Sequence, residues 1–214
     1  MPPKVKFQKE EIAEAALNVA RKMGIDAVTA REVAAELHVS PRPIFTYYDT
    51  MDQLRHDVFK LAMVHYREYI ERGLNSPVPF LGVWQQFLHF AEDEPNLYRL
   101  LFLTQPGNIS GGAEEALKYS QELVRDSIMR IYNMDAPTAD HYFRDMWLVA
   151  FSFATLSVTN NCPYTHEEMF NIGAEFSLAI CKAYKEIPGL SEGKYDKDAE
   201  FRKLIELQKE NHGQ

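Results

Sequence analysis

The sequence has few cysteines and no long hydrophobic run. Cys162 and Cys181 are the only thiols among 214 residues, which is typical of a reduced cytoplasmic protein rather than of a disulfide-linked secreted domain. No window approaches the roughly 18 uninterrupted apolar residues that a membrane span needs. The opening residues, MPPKVKFQKEE, lack the apolar stretch of a signal peptide. We therefore expect a cytoplasmic protein with no membrane partner.

Positively charged residues are also fewer than negatively charged ones, and the difference between them varies along the chain. The formal net charge of −8 argues, taken alone, against a general nucleic-acid binder. Residues 1–60, however, contain nine Lys or Arg and nine Asp or Glu, whereas the remaining residues contain 14 and 22. A neutral N-terminal region thus precedes an acidic remainder, and the two regions need separate interpretation.

No stretch alternates with the period of a strand, whereas helical periodicity is found nearly everywhere. An apolar stripe from Ile12 to Met23 predicts a first helix that stops at Gly24. Thr29 begins a capping box for a short second helix. Ser40, followed by a proline, predicts a third helix that runs to about Tyr48. We predict an all-α protein of about nine or ten helices.

The fourth helix is expected to be long and to connect the N-terminal region to the rest of the chain. It begins at a second capping box and extends to about residue 72. After a break at 73–79 (GLNSPVP) we expect further helices near 80–92, 95–105, 113–133, 138–160, 166–186 and 194–210. We therefore divide the chain into domains of residues 1–50 and 51–214.

Two short helices joined by a tight turn between residues 29 and 48 fit a helix-turn-helix, although an ordinary corner between helices is the commoner alternative. The surface of the third helix favours DNA binding, because a cation, hydroxyls and aromatic rings crowd into little more than one turn. Arg42 suits guanine, and Thr46 suits a thymine methyl group. Thr29 and Tyr47 suit phosphate. Ser40 caps the helix that carries these groups, and Lys4 and Lys6 suit a backbone-contacting arm.

In this segment the chain resembles the TetR family of bacterial transcriptional regulators. The family pattern combines a capped T-x-x-x-[IV]-A helix, a V-S turn, the motif Y-x-[HY]-[FY] and a further capped helix that ends in leucine. The positions in register are Thr29, Val33, Ala34, Val39, Ser40, Ile44, Tyr47, Tyr48 and Leu54. The stretch from Trp147 to Asn161 is similar to a subgroup with a Trp-His-Gly signature. The resemblance implies a repressor that binds a palindromic double-stranded DNA operator and is released by a small-molecule effector.

Three positions depart from the family pattern. Phe45 replaces a tyrosine that donates to phosphate, Met51 replaces a common lysine, and Pro43 removes a backbone N–H from the third helix. Fewer phosphate contacts predict weak non-specific affinity, with a salt-dependence slope of about −4 to −6 per dimer.

Specific repressors of this kind bind as dimers, so that two recognition helices enter successive major grooves. Helices near 138–160 and 166–186 are candidates for a homodimer interface. The first has a face of small residues that includes Ala150 and Ala154, and the second has an apolar stripe that includes Met169, Gly173 and Phe176. Periodicity alone leaves open whether these faces form the chain's own core. The family resemblance favours the interface.

Aromatic and methionine side chains accumulate between residues 80 and 151, and most of them must belong to the core. An apolar cavity with a few polar groups is nevertheless the usual form of a small-molecule site, and the resemblance implies an effector site here. The candidate effector-binding residues are Trp84, His89, Tyr98, Phe102, Tyr119, Met146, Trp147 and Phe151.

Two other classes of function, an enzyme and an adaptor protein, fit the sequence less well. An enzyme is disfavoured, because the sequence has no di-iron E-x-x-H repeat, glycine-rich phosphate loop, H-E-x-x-H or G-x-S-x-G motif. We therefore expect no catalytic residues, no metal site and no cofactor. A helical adaptor protein that has lost DNA binding is the alternative, and it is favoured by Phe45, by Met51 and by the neutral N-terminal region.

Overall fold

The structure, a computed structural model, describes residues 7–104 and 112–212, with side chains described as far as residue 206. Every regular element in these residues is helical, and no strand occurs among them. The predicted all-α class is confirmed. In chain order the α-helices are α1 (Lys9–Met23), α2 (Ala30–Glu36), α3 (Ile44–Tyr47), α4 (Met51–Gly73), α5 (Pro79–Asp93), α6 (Pro95–Tyr98), α7 (Gly112–Tyr132), α8 (Ala136–Val158), α9 (His166–Glu186) and α10 (Lys197–His212).

Helices α1, α2 and α3 form the part of the molecule that we call the head. The backbone N–H of Gln8 donates to the Glu11 carboxylate at 2.6 Å and so caps the start of α1. Gly24 follows the helix at a φ of 88°, a conformation that suits glycine. Most of the predicted apolar stripe is buried, but Met23, the last residue of α1, is 54% exposed.

Helix α2 has a capped start and ends in a tight turn that leads to α3. The Thr29 hydroxyl accepts from the Glu32 backbone N–H at 3.3 Å, so the predicted cap of α2 is present. At the other end, the Val39 N–H donates to the Ala34 carbonyl at 2.9 Å. His38 lies between them at a φ of 57°, where glycine is the usual residue.

The third helix is shorter than predicted. We expected it to run from Ser40 to Tyr48 with Ser40 as its cap, but α3 has only four residues and its N-cap position, Pro43, makes no side-chain cap. The two prolines are the physical reason. Neither Pro41 nor Pro43 has an N–H to donate, and each disfavours helical backbone at the residue before it. The Ile44 N–H instead donates to the Pro41 carbonyl at 3.1 Å, which makes a tight turn.

The remaining helices begin and end within a few residues of their predicted positions. The exception is the predicted helix 95–105, which is divided into α6 and a π-helical turn at Arg99–Leu103. The Thr104 hydroxyl donates to the Arg99 carbonyl at 3.0 Å and closes this turn. The predicted loop at 106–112 lies outside the described residues, apart from Gly112. No described helix is long and apolar enough to cross a bilayer.

The chain forms two compact units. The first contains the described residues of Met1–Val124 together with Ala150–Pro163. Its centre is a cluster of aromatic rings in edge-to-face and tilted contacts, a preferred arrangement for such rings. The cluster comprises Tyr66, Phe87, Phe90, Tyr98, Phe102 and Phe151.

The second unit contains Arg125–Val149 and the described residues of Tyr164–Gln214. The hydroxyl groups of Tyr142 on α8 and Ser177 on α9 are 2.6 Å apart, and both side chains are buried. Arg125 donates from Nε to Asp140 at 2.6 Å and joins the end of α7 to α8. The predicted domain boundary after residue 50 stays a prediction.

Candidate nucleic-acid interface and effector site

The short helix α3 has one buried side and one exposed side. Ile44 is 0% exposed and Tyr48 is 2% exposed, so these two side chains anchor the helix in the head. Phe45 is 54% exposed and Tyr47 is 40% exposed. Arg42, in the turn before the helix, is also exposed. The structure therefore presents outward the surface that the sequence assigned to DNA.

The other predicted DNA-binding residues lie around this surface. Thr46 is exposed, and its hydroxyl lies 3.5 Å from the Arg42 carbonyl that it can donate to. Ser40 is exposed in the turn. Thr29 is half-buried at the start of α2, where its oxygen accepts the Glu32 N–H. Lys4 and Lys6 lie outside the described residues.

Tyr47 makes a contact that the sequence did not predict. Its hydroxyl donates to the backbone carbonyl of Phe7 at 2.7 Å. The contact joins α3 to the residues just before α1. A phenol has one proton to donate, so donation to a phosphate requires this hydrogen bond to break.

A second unpredicted cluster connects α1, α3 and α4 through Asp57. The Tyr48 hydroxyl donates to Asp57 at 3.2 Å, and the ammonium groups of Lys9 and Lys60 lie 3.0 and 3.3 Å from the same carboxylate. The Lys9 ammonium also lies 5.0 Å from the centroid of the Tyr48 ring. Burial opposes ionisation of Asp57, but the hydrogen bonds from Lys9 and Lys60 outweigh it and lower the pKa of the carboxyl.

The head thus combines two short helices, a tight turn and an exposed surface with a cation, a hydroxyl and an aromatic ring. Residues 12–58 match the family model of bacterial regulatory proteins, tetR family. The head thus belongs to the TetR family of DNA-binding regulators. A search of curated proteins gave no match. The family match covers most of the head and the start of α4, and the subgroup suggested by residues 147–161 stays a prediction.

Outside the matched residues, the structure brings three of the predicted effector-binding residues together. Tyr98 lies 4.8 Å from Phe102 and 6.2 Å from Phe151, measured between ring centroids. The Tyr98 hydroxyl lies 2.9 Å from the Thr155 hydroxyl, and burial raises the pKa of the phenol well above its ordinary value. Phe102 belongs to the π-helical turn, and such turns are frequent at functional sites.

The other candidate effector residues are more dispersed. Trp84 packs edge-on against Phe153 at 6.4 Å, and its buried indole N–H has no hydrogen-bond partner among the described residues. Tyr119 donates to Glu71, and burial together with this bond raises its pKa to about 12. His89 is exposed beside Gln86. Met146 and Trp147 are buried in the second unit.

One further link, which the sequence did not predict, joins α1 to the start of α6. Arg21 donates through Nε and Nη2 to both carboxylate oxygens of Glu94, and the Nε contact is 2.9 Å. Asn96 donates to the Arg21 carbonyl at 2.8 Å. The partners are more than 70 residues apart in the chain, so no local pattern could have indicated them. Among the described residues no group of His, Cys, Asp and Glu is arranged to hold a metal ion.

Proposed function

We propose that this DNA-binding transcriptional regulator is a cytoplasmic homodimeric repressor that binds a palindromic operator and is released by a small-molecule effector. The observation that carries the proposal is the exposed side of α3, with Arg42, Phe45 and Tyr47 outward and Ile44 and Tyr48 inward. Residues 1–50 would then be the DNA-binding domain, and residues 51–214 would bind the effector and form the dimer.

In the proposed complex Arg42 recognises guanine, because a guanidinium can donate two hydrogen bonds to O6 and N7. The hydroxyls of Thr29 and Ser40 donate to phosphates, and Thr46 contacts a base edge. Tyr47 exchanges its bond to Phe7 for one to a phosphate. Lys4 and Lys6 neutralise the DNA backbone beside the head.

The proposed dimer uses exposed apolar side chains of the second unit. Phe176 is 49% and Leu178 is 71% exposed on α9, and Leu148 on α8 is 52% exposed. Large apolar side chains that are left exposed in one chain are the ones that a partner subunit would cover. Met169, Gly173, Ala150 and Ala154 are buried within the chain itself, so the proposal rests on the exposed residues of α8 and α9.

The proposed effector site draws on the first-unit candidates, with Tyr98, Phe102 and Phe151 as its aromatic wall. The unpaired indole N–H of Trp84 supports an effector that carries a hydrogen-bond acceptor, because a buried donor without a partner costs free energy that an acceptor would recover. To act, the effector must bind the DNA-incompetent state more tightly, by about 5.5 kcal/mol for a complete switch.

Fluorescence anisotropy with a duplex selected by the protein from a random-sequence pool tests DNA binding. Arg42→Ala is expected to weaken binding by about 1–3 kcal/mol and to relax the preference for guanine at one position of each half-site. Arg130→Ala is the matched control, because it removes an exposed arginine of α7. Failure to select any duplex at low salt would favour the adaptor alternative.

Light scattering coupled to size-exclusion chromatography tests the dimer. Phe176→Glu places a charge on the proposed interface, so a monomer and weaker operator binding are expected. Val64→Glu is the control, because Val64 on α4 is 48% exposed, nearly as much as Phe176. Dimers of equal stability in both variants would exclude α9 as the interface.

A thermal-shift screen of small apolar molecules tests the effector site, because a ligand that binds only the folded state raises Tm. Molecules that raise Tm, the hits of this screen, should also release the selected duplex from the protein. Trp84→Phe should reduce the Tm shift of hits that carry an acceptor and leave the shift of purely apolar hits unchanged. An equal reduction of the Tm shift for both kinds of hit would show that Trp84 does not recognise the acceptor.

A further inference from the structure

We infer that Phe45 recognises the C5-methyl group of a thymine in the major groove, an inference that rests on the proposed binding of operator DNA. Ile44 and Tyr48 fill the inward side of α3, so Phe45 is not one of the two buried anchors of that helix. It lies instead on the exposed side, with 54% of its surface accessible to water.

The chemistry of the side chain restricts its partner. Phenylalanine can neither donate nor accept a conventional hydrogen bond. It therefore gains no hydrogen bond from the phosphate oxygens or from the polar groups of the base edges. The thymine methyl is the apolar group that B-DNA displays in the major groove. Contact between this methyl and an exposed ring removes apolar surface of both partners from water.

The neighbouring residues place this contact beside a polar one. Arg42 and Phe45 are three residues apart on the exposed side of the turn and helix. A guanidinium that binds guanine and a ring that contacts thymine would therefore meet nearby base pairs. We expect each half-site to combine a guanine with at least one thymine whose methyl group is required.

The test replaces thymine by deoxyuridine, which differs only by the methyl group. The duplex is the one selected from a random-sequence pool by the full-length protein. Each thymine is replaced in turn, symmetrically in both half-sites, and affinity is measured by anisotropy. At one position the wild-type protein should lose about fourfold per methyl, or about fifteenfold for the two half-sites.

The same series is measured with Phe45→Ala and Phe45→Leu. The alanine variant should bind the thymine duplex more weakly and show no further loss with deoxyuridine at that position. The leucine variant keeps an apolar contact and should retain part of the sensitivity. Met23→Ala is the control, because Met23 is as exposed as Phe45 but lies at the end of α1, and it should behave as wild type.

The possible outcomes separate this inference from the proposed function. Sensitivity to deoxyuridine in the wild type that is absent in Phe45→Ala supports it. An operator without thymine, no sensitivity in the wild type, or equal sensitivity in Phe45→Ala overturns it while leaving DNA binding intact. If no duplex is selected at all, the proposed function fails and the inference fails with it.

Discussion

Tyr47 and Tyr48 are neighbours in the chain, but their side chains lie in opposite environments. Tyr48 is buried and donates to Asp57, and burial and the nearby carboxylate both raise the pKa of its phenol. Tyr47 is exposed and donates to the Phe7 carbonyl. A hydrogen bond to a charged, partly buried acceptor contributes more to stability than one at an exposed backbone carbonyl.

Removing each hydroxyl separately tests this difference. We expect Tyr48→Phe to reduce the free energy of unfolding by about 1 kcal/mol, because it leaves Asp57 with one hydrogen bond fewer. Tyr47→Phe should change it by less than about 0.5 kcal/mol, as is usual for exposed positions. Urea denaturation followed by circular dichroism measures both values. A larger loss for Tyr47→Phe would contradict the roles given to the two residues.

At the scale of single residues, anchors and caps could be predicted from the sequence, but the partners of most polar groups could not. The Thr29 cap depends on a residue three positions away, so the local pattern was sufficient. Asp57 meets Lys9 and Tyr48 only because three helices converge, and Tyr47 meets Phe7 across 40 residues. Glu94 was missed for the same reason, since its partner Arg21 belongs to another helix.

Helices α4 and α5 approach each other very closely at two glycines. A Cβ atom added to Gly73 would lie 2.5 Å from the backbone carbon of Gly82, and one added to Gly82 would lie 2.1 Å from the Gly73 carbonyl oxygen. Backbone cannot give way as a flexible side chain can. The contact of the two helices therefore depends on the absence of side chains at both positions.

Substitution of Gly82 should accordingly disturb this contact. We expect Gly82→Ala to reduce the free energy of unfolding by about 2–3 kcal/mol, because α5 must move away from α4. Gly193→Ala provides a comparison, since that site has a φ of 67° but no atom near the added Cβ. It should lose only about 1 kcal/mol. Equal losses in urea denaturation would show that α5 can adjust without cost.

The carboxylate of Asp57 makes the junction of α1, α3 and α4 sensitive to acid. Its pKa is lower in the folded protein than in the unfolded chain. The stabilisation is therefore complete above the ordinary aspartate pKa of about 3.9 and is lost as the pH falls through the lower folded value. Between about pH 5 and pH 3 the wild type should lose more stability than Asp57→Asn.

Urea unfolding at several pH values measures this difference. Asp26→Asn is the control, because Asp26 is an exposed carboxylate in the short 3-10 turn after α1. It should keep the full pH dependence of the wild type. Parallel curves for the wild type and Asp57→Asn would show that the carboxylate makes no net contribution.

At the scale of elements, the long helices were predicted well and the short ones less so. Periodicity over many residues predicts α4, α7, α8 and α9 within a few residues, because each has one face to bury. The length of α3 was wrong, since its two prolines outweighed the capping signal of Ser40. The π-helical turn at Arg99–Leu103 was not predicted, because the apolar sequence Leu-Leu-Phe-Leu is compatible with either kind of helix.

The whole molecule is acidic, with its excess negative charge beyond residue 60. A head without net positive charge has few cations to replace the counterions of DNA. We therefore expect the logarithm of the association constant to fall with that of the salt concentration with a slope of about −4 to −6 per dimer. Anisotropy titrations between about 50 and 200 mM salt measure it. A slope near −10 would mean that many more phosphates are contacted than we propose.

The link from Arg21 to Glu94 and Asn96 limits how the head can move against α5 and α6. The head is also fixed to α4, by the chain itself where α3 passes into α4 and by the contacts of Lys9 and Tyr48 with Asp57. Rotation of α1 about α4 alone would break the hydrogen bonds between Arg21, Glu94 and Asn96. Any reorientation of α1 must therefore take the start of α6 with it, or first break this link.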